Sequence, residues 1–262
     1  MNIDLSGKTA FVCGSTQGIG KATAIELSQL GAQVVLIARN EEKLQQTIGE
    51  MDRQNGQNHQ YIVADFSKPE ELKTKVNAFI KSNPIAHILV NNTGGPPGGP
   101  ITEATTAEFM SAFSNHLVCN HHMVQALMPS MKKAGYGRVI NVISTSVKQP
   151  LSGLGVSNTI RGAVANWSKT LANELGQFNI TVNNVLPGAT NTVRLSAIAE
   201  NKSKKTGQTV KEIFDGMAGA VPMKRIAEPE EVANAIAFLA SPAASYINGI
   251  NLPVDGGRTG CL

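Results

Sequence analysis

The sequence predicts an α/β fold: a single-domain, Rossmann-type, doubly wound sheet of about seven parallel strands flanked by helices. Three observations support this prediction. Short β-branched or apolar runs alternate with longer segments of helical periodicity, which is the pattern of βαβ units that build a parallel sheet. The 262 residues suffice to bury a large core without disulfides or metals. Hydrophobic residues make up 42% of the chain and charged residues 16%, which argues against disorder and coiled coil.

Seven segments have the length and composition of buried strands. They are short, rich in β-branched or other apolar residues, and separated by turns or helical patterns. In chain order the predicted strands are Thr9–Cys13, Val34–Ile37, Tyr61–Ala64, Ile88–Asn91, Arg138–Ile143, Thr181–Val185 and Ile250–Val254.

Helical patterns fill the segments between these strands. An apolar stripe from Ile19 to Leu30 predicts a first helix that stops at Gly31, because glycine suits the left-handed position after a helix. Ser67-Lys68-Pro69-Glu70 has the pattern of a capping box that opens the third helix. The other predicted helices lie around 44–51 and at about 106–133, 157–176 and 229–240, and Pro129 is expected to bend or restart the long one.

Two segments predict loops near the carboxyl ends of the strands. Residues 94–100 contain only glycine and proline, which excludes a helix or an inner strand there. Residues 194–222 are polar, interrupted by glycine and bounded by Pro222, which predicts a helical excursion or lid on the substrate side. No linker divides the chain, so residues 1–262 are predicted to form one domain.

Composition excludes several classes of protein. The formal charge is +4, but the basic residues are scattered without interleaved aromatics, so we expect no nucleic-acid partner. Cys13, Cys119 and Cys261 are odd in number and far apart, as expected of reduced thiols in a cytoplasm. No apolar run approaches 18 residues, and the first residues lack a signal core. We therefore expect a soluble cytoplasmic protein that does not enter a membrane.

A glycine-rich turn between the first strand and the first helix predicts a nucleotide site. Glycines fit where the backbone approaches a pyrophosphate at the positive end of a helix. The spacing between the first two glycines differs from the common fingerprint, so a plain glycine-rich turn remains the alternative. The candidate cofactor residues here are Gly14, Ser15, Thr16, Gln17, Gly18, Ile19 and Gly20.

The end of the second strand predicts which dinucleotide binds. An NAD site usually has an acidic residue there, whereas this sequence has Arg39. A guanidinium favours a 2′-phosphate, so we expect NADP(H) to be preferred over NAD(H), with a solvated surface charge as the alternative. Asp65, after the third strand, is a candidate acceptor for the adenine amino group, or else it caps the following turn.

Over nearly its whole length the sequence resembles the short-chain dehydrogenase/reductase family, especially bacterial 3-oxoacyl-(acyl-carrier-protein) reductase-like members. The matching motifs occur in family order. They are the Gly14–Gly20 turn, Asn91-Asn92-Thr93-Gly94, Asn115, Ser144, Pro187-Gly188 with Thr192, and Val254-Asp255-Gly256-Gly257.

The sequence departs from the family at the catalytic pair. The family tyrosine, thirteen residues after its serine, and the lysine four further on fall at Ser157 and Arg161. The three tyrosines, Tyr61, Tyr136 and Tyr246, all lie elsewhere in the predicted fold. A serine hydroxyl is far less acidic than a phenol, and a guanidinium is a poor proton donor. The proton chemistry of the family therefore does not carry over directly.

The resemblance implies roles for the remaining residues. Ser144 would bind the reacting oxygen, while Arg161 and Asn91, with Gly94, Pro187, Gly188 and Thr192, would fix the cofactor. The proton would come from Lys148, from Ser157 or from a water held by Asn115. Solvent exposure is the alternative for Lys148.

His116 is a weaker candidate for proton relay through water. His116, Cys119, His121 and His122 lie on different faces of one predicted helix, which suits tetrahedral coordination poorly, so we expect no metal.

Two functions remain open from the sequence. One is an NADP(H)-dependent oxidoreductase that interconverts a carbonyl and an alcohol, with a 3-oxoacyl thioester as a substrate implied by the resemblance. The other is a catalytically impaired nucleotide-binding homologue that acts as sensor, scaffold or partner subunit. The resemblance also implies a homotetramer with the helices at about 106–133 and 157–176 in its interfaces.

Overall fold

The computed structural model describes residues 1–261 and folds them around one seven-stranded parallel sheet. The spatial order of the strands is β3-β2-β1-β4-β5-β6-β7, and every neighbouring pair is parallel. The strands are β1 Thr9–Cys13, β2 Gln33–Ala38, β3 Gln60–Val63, β4 Ile88–Asn91, β5 Gly137–Val142, β6 Ile180–Pro187 and β7 Asn251–Val254. The predicted fold class and all seven predicted strands are confirmed.

Nine α-helices connect and cover these strands in residues 1–261. They are α1 Gly18–Gln29, α2 Glu41–Gly49, α3 Pro69–Ser82, α4 Thr106–Phe113, α5 Cys119–Ala134, α6 Gly155–Leu175, α7 Val193–Thr206, α8 Val210–Gly219 and α9 Pro229–Ala240. None of the helices in this range is long and apolar enough to cross a bilayer.

Helices on both faces of the sheet bury two separate cores. Successive residues of β1 illustrate the division, because side chains alternate between the faces of a strand. Ala10 and Val12 pack with α1 and α9, whereas Phe11 and Cys13 pack with α3, α5 and the end of α6. Both faces of the central strands are therefore buried, which explains why β1, β2 and β4 are apolar along nearly their whole length.

Two local predictions about helices are corrected. The helix does not restart at Pro129, which lies inside α5, and the irregularity in the 106–133 pattern is a π-helical turn at Ser114–Val118. Pro129 and Gln125 are both exposed, so water can solvate the carbonyl that proline leaves without a partner. Ser67 does not cap α3 either, since the helix begins with Pro69 at its first position and Lys68 before it. The predicted end of α1 at Gly31 is confirmed by a φ angle of +93°.

The strand order places a crevice at the carboxyl ends of β1 and β4. From these two neighbours the chain proceeds outward in opposite directions, so the loops that follow them separate. Ligands of doubly wound sheets bind at such a switch point. The residues that follow β1 to β6 at this edge of the sheet are therefore the ones that can form a site.

Candidate cofactor and active site

The glycine-rich turn after β1 is packed so closely that there is no room for a side chain at Gly14 or Gly20. A Cβ on Gly14, whose φ is +62°, would collide with the backbone oxygen of Asn92, and one on Gly20 would collide with the oxygen of Gly14. Asn92 Nδ2 donates to the carbonyls of Cys13 (3.2 Å) and Gly14 (3.3 Å). The end of β4 thus fixes the turn from which α1 begins, and the N-terminus of α1 has the geometry that suits a pyrophosphate.

Within that turn, the predicted cofactor residues divide into buried and accessible ones. The Ser15 side chain is fully buried, and its Oγ accepts a hydrogen bond from the Ile37 amide (3.1 Å). Its hydroxyl therefore binds β2 and does not face a ligand. Thr16 is half-buried and Gln17 is exposed, so both remain accessible to a cofactor.

Arg39 and Asp65 follow the neighbouring strands β2 and β3. Arg39 is exposed and forms no side-chain hydrogen bond or ion pair within residues 1–261. Asp65 Oδ1 accepts from the Ser67 amide (2.9 Å) and so caps the following turn, while its role toward an adenine stays a prediction. Burial acts to raise the pKa of Asp65, but the hydrogen bonds from Ser67 and the charges of Arg39 and Lys68 outweigh it and lower the pKa. The guanidinium at the position expected for a 2′-phosphate is thus available.

Beneath the crevice, four asparagines form a ladder across four strands. Asn91, Asn141, Asn184 and Asn251 are in register on β4, β5, β6 and β7. Asn91 Nδ2 donates to Asn141 Oδ1 (2.8 Å), Asn141 Nδ2 donates to Asn184 Oδ1 (3.1 Å), and Asn184 Nδ2 donates to Asn251 Oδ1 (2.8 Å). Asn141 Nδ2 also donates to Ser168 Oγ on α6 (2.8 Å). The side chain of Asn91 thus belongs to the sheet, and its role toward a cofactor stays a prediction.

Arg161 reaches from α6 across the ends of β4 and β5. Its guanidinium is buried and donates from Nη1 to the Val142 carbonyl (3.2 Å) and from Nη2 to the Thr93 carbonyl (3.4 Å). Burial, and then the charge of Arg194, lower the pKa of Arg161 to about 10, which leaves it a cation at neutral pH. Arg161 is therefore part of the crevice wall.

Thr93 connects Arg161 to His116. Thr93 Oγ1 lies 2.6 Å from His116 Nδ1, and His116 is 1% exposed inside the π-helical turn. Burial, followed by the charges of Arg161 and Arg194, lowers the pKa of His116 to about 2. His116 is therefore neutral at physiological pH and cannot supply a proton as an imidazolium. The sequence alone gave Thr93 no role of its own, although it stands in the motif where the family resemblance has alanine.

The remaining catalytic candidates lie around the start of α6. Ser144 follows β5, and its Oγ accepts from the Ser146 amide (3.1 Å) as the cap of a 3₁₀ turn that packs against α6. Ser157 lies in the first turn of α6, is half-buried and makes no side-chain hydrogen bond to the described chain. Lys148 ends the 3₁₀ turn, and Asn115 lies in the π-helical turn; both are half-buried. Their chemical roles stay predictions.

The nicotinamide-side motif closes the crevice from β6. Thr192 Oγ1 accepts from the Leu195 amide (3.3 Å) and caps α7. Its Cγ2 lies 3.0 Å from the place where a Cβ of Gly18 would be, so the motif contacts the glycine-rich turn directly. Gly188 follows Pro187 and donates its amide to the Val254 carbonyl (2.9 Å), which joins the motif to the C-terminal signature.

The glycine-proline loop 94–100 is held from two sides. Gly99 donates its amide to the Gly153 carbonyl (2.8 Å) and accepts from the Gly155 amide (3.2 Å). Arg194 Nη2 donates to the Pro96 carbonyl (2.6 Å), a contact from α7 that the sequence did not predict. The predicted excursion at 194–222 folds as α7 and α8, which pack on each other, and its motion as a lid stays a prediction. Gly94 is exposed at the rim.

The four residues weighed as metal ligands turn to different neighbours. His116 Nδ1 lies at Thr93, Cys119 Sγ contacts the Phe66 carbonyl (3.2 Å), and His122 Nε2 lies 3.4 Å from Glu70. The His121 ring packs edge-on against Trp167. In the described part of the chain no group of three or more histidine, cysteine or acidic residues is arranged to hold a metal.

Comparison with known proteins identifies a family model and relatives that match nearly the whole chain. A family model described as enoyl-(acyl carrier protein) reductase matches residues 14–259. A chloroplastic tropinone reductase homologue of Arabidopsis thaliana is 33% identical over 257 residues, covering 97% of this chain and 76% of that protein. The NADPH-dependent reductase BacG of Bacillus subtilis is 29% identical over 254 residues, covering 97% and 98% respectively. The structure of L-sorbose reductase from Gluconobacter frateurii, complexed with NADPH and L-sorbose, matches with a TM-score of 0.93 at 33% identity over all of both chains.

Proposed function

Because this chain belongs to the short-chain dehydrogenase/reductase family, we propose that it is an NADP(H)-dependent oxidoreductase that interconverts a carbonyl and an alcohol. One observation carries the proposal: the turn before α1 leaves no room for a side chain at Gly14 or Gly20, and Thr192 contacts the same turn at Gly18. The relatives whose names include NADPH support the choice of cofactor. The preference over NAD(H) rests on the free Arg39 guanidinium.

When bound, NADPH supplies a hydride to the carbonyl carbon, and a proton on the oxygen completes the alcohol. Ser144, at the end of β5, is the residue that donates a hydrogen bond to the reacting oxygen. Arg161 orients the nicotinamide side of the site from the crevice wall, where it is already held by two carbonyls. The proton comes from Lys148, from Ser157 or from a water that Asn115 holds.

The missing phenol sets an expectation for the rate. Loss of a positioned general acid costs a factor of about 10²–10⁴. Since His116 is neutral and Arg161 remains a cation, neither replaces that acid near neutral pH. We therefore expect slower turnover than that of a family member that has the tyrosine, unless Lys148 acts as the general acid.

NADPH oxidation with a panel of ketones, diketones and acetoacetyl thioesters tests the proposal. We expect wild-type turnover that Ser144→Ala removes while NADPH binding is retained, with Ser152→Ala, an exposed serine of the neighbouring loop, as the matched control. The thioesters in the panel test the 3-oxoacyl substrate. Tight NADPH binding without wild-type turnover, and activity only in Ser157→Tyr/Arg161→Lys, would show a nucleotide-binding protein that lacks catalysis.

A further inference from the structure

Resting on the proposed function, we propose that the substrate carries an anionic oxygen group, a carboxylate or a phosphate ester, which Arg161 and Arg194 bind beside the loop that follows β4. Arg161 approaches this loop from α6 and Arg194 approaches it from α7. Their guanidiniums donate to the carbonyls of Thr93 and Pro96, so both charges are held over one short segment, 93–96.

Neither arginine has an acidic partner. No Asp or Glu oxygen lies within ion-pair distance of either guanidinium in residues 1–261, and the bonded acceptors are neutral backbone carbonyls. Arg161 is only 7% exposed. A buried cation without a counterion is costly, and an arriving anion removes that cost. The planar guanidinium presents further N–H donors that suit a carboxylate or phosphate.

The loop is shaped to admit the second guanidinium. A Cβ on Gly95 would lie 3.0 Å from Arg194 Nη2, so a larger residue at that position would crowd the arginine. The charge of Arg194 also contributes to the lowered pKa values of Arg161 and His116, which shows that the three groups share one electrostatic environment. Because His116 is neutral, it adds no competing charge.

The 2′-phosphate of the cofactor does not account for this pair. The free Arg39 follows β2, whereas Arg161 bridges β4 and β5. At about 4.8 Å per strand, β2 and the β4–β5 pair are separated by about 10–15 Å, too far for one phosphate to reach both. The pyrophosphate turn follows β1, one strand from β4, so the Kd of NADPH in the Arg194 variant below distinguishes the pyrophosphate from the substrate. We assign the anion to the substrate because Arg161 also binds the end of β5, directly before Ser144.

Matched pairs of substrates test the inference. With NADPH, kcat/KM for acetoacetate should exceed that for methyl acetoacetate by tenfold or more, or dihydroxyacetone phosphate should exceed dihydroxyacetone by that factor; the pair that responds identifies the anion. Arg194→Gln should abolish the preference and leave the Kd of NADPH unchanged, while Arg194→Lys should keep part of it. Lys205→Gln, an exposed lysine in the last turn of α7, is the control and should behave as wild type.

A binding measurement keeps the test independent of turnover. Calorimetric titration of succinate and of its neutral isostere succinamide into the NADP⁺ complex should show succinate binding at least tenfold more tightly, and Arg194→Gln should remove the difference. Equal turnover of acids and neutral analogues, with no succinate binding, would overturn the inference and leave the proposed function intact. Loss of NADPH affinity in Arg194→Gln would also overturn it, because the arginine would then bind the cofactor. Absence of all turnover with succinate binding retained would overturn the proposed function only.

Discussion

Arg161 is a buried cation in the crevice wall. Its planar guanidinium spans the ends of two strands and binds both the Val142 and Thr93 carbonyls. A lysine has a single point charge at the end of its stem and lacks this fork. The arginine is therefore well suited to hold the crevice wall and to attract anions, but it is a poor proton donor near neutral pH.

The Arg39 guanidinium sets the cofactor preference in our account. Arg39→Ala should weaken NADPH binding by about 10–100-fold, since a charge-assisted hydrogen bond contributes about 1.5–3 kcal/mol. NADH binding should change little. Fluorescence titration with both cofactors measures this, and Lys43→Ala, one turn into the following helix, is the control. Equal losses for NADPH and NADH would show that Arg39 does not contact a 2′-phosphate.

His116 should make the fold sensitive to acid. Its pKa falls from about 6.5 in an unfolded chain to about 2 in the folded one. Between these values the unfolded state binds a proton that the folded state does not. The contribution of the neutral His116 side chain to stability is therefore present above pH 6.5 and is lost as the pH falls. The slope is about 1.4 kcal/mol per pH unit for one proton.

Urea denaturation between pH 5 and pH 4 measures that slope. His116→Gln removes the titrating group. The free energy of unfolding of this variant should therefore fall less steeply with decreasing pH than that of the wild type. Thr93→Val removes only the hydrogen-bond partner of the buried ring and should keep the wild-type slope. Parallel pH profiles for wild type and His116→Gln would contradict the assignment.

At the scale of the elements, the asparagine ladder fixes the strand ends that carry the site. Asn141, at its centre, is completely buried and bonds to Asn91, Asn184 and Ser168. These groups lie directly before the loops that contain Thr93 and Ser144. The ladder therefore connects the central strands directly before the loops that contain the catalytic candidates.

Asn141→Ala should destabilise the protein by about 3 kcal/mol or more, because each buried polar group left unpaired costs about 1–3 kcal/mol. Asn251→Ala is the matched change at the exposed end of the ladder, where water can replace the lost acceptor, and it should cost less than about 1 kcal/mol. Urea unfolding compares the two variants. Equal losses would mean that the ladder contributes little beyond the backbone pairing.

At the scale of the whole molecule, the resemblance predicts a tetramer, and α4 has residues that suit an interface. Met110 is 62% exposed and Phe113 is 39% exposed, within the segment predicted to lie in the contacts. Sedimentation should give four chains of 27.7 kDa. Met110→Glu/Phe113→Glu should yield a smaller species, and a wild-type monomer at micromolar concentration would contradict the predicted assembly.

The sequence predicted the sheet well because local signals determine it. Apolar runs such as Thr9–Cys13 and Ile88–Asn91 match the observed strands at both ends. The ladder was not predictable, because it depends on the register between strands far apart in sequence. Thr93 and His116 are 23 residues apart, and the Arg194 contact spans 98 residues. The glycine-rich turn belongs to one strand-turn-helix unit, which local sequence signals can predict, whereas the contacts around it come from α6, α7 and the loops after other strands.

Transfer of deuterium from NADPH labelled at C4 tests whether the protein moves a hydride from the cofactor to a carbonyl carbon. The protein is incubated with each C4 stereoisomer and the carbonyl panel, and the product alcohols are analysed by mass spectrometry. We predict that one stereoisomer alone gives an alcohol with one deuterium on the former carbonyl carbon, with wild type and not with Ser144→Ala. No labelled alcohol from the wild type, with labelled product from Ser157→Tyr/Arg161→Lys, would contradict the account and show a fold that binds the nucleotide without reducing anything.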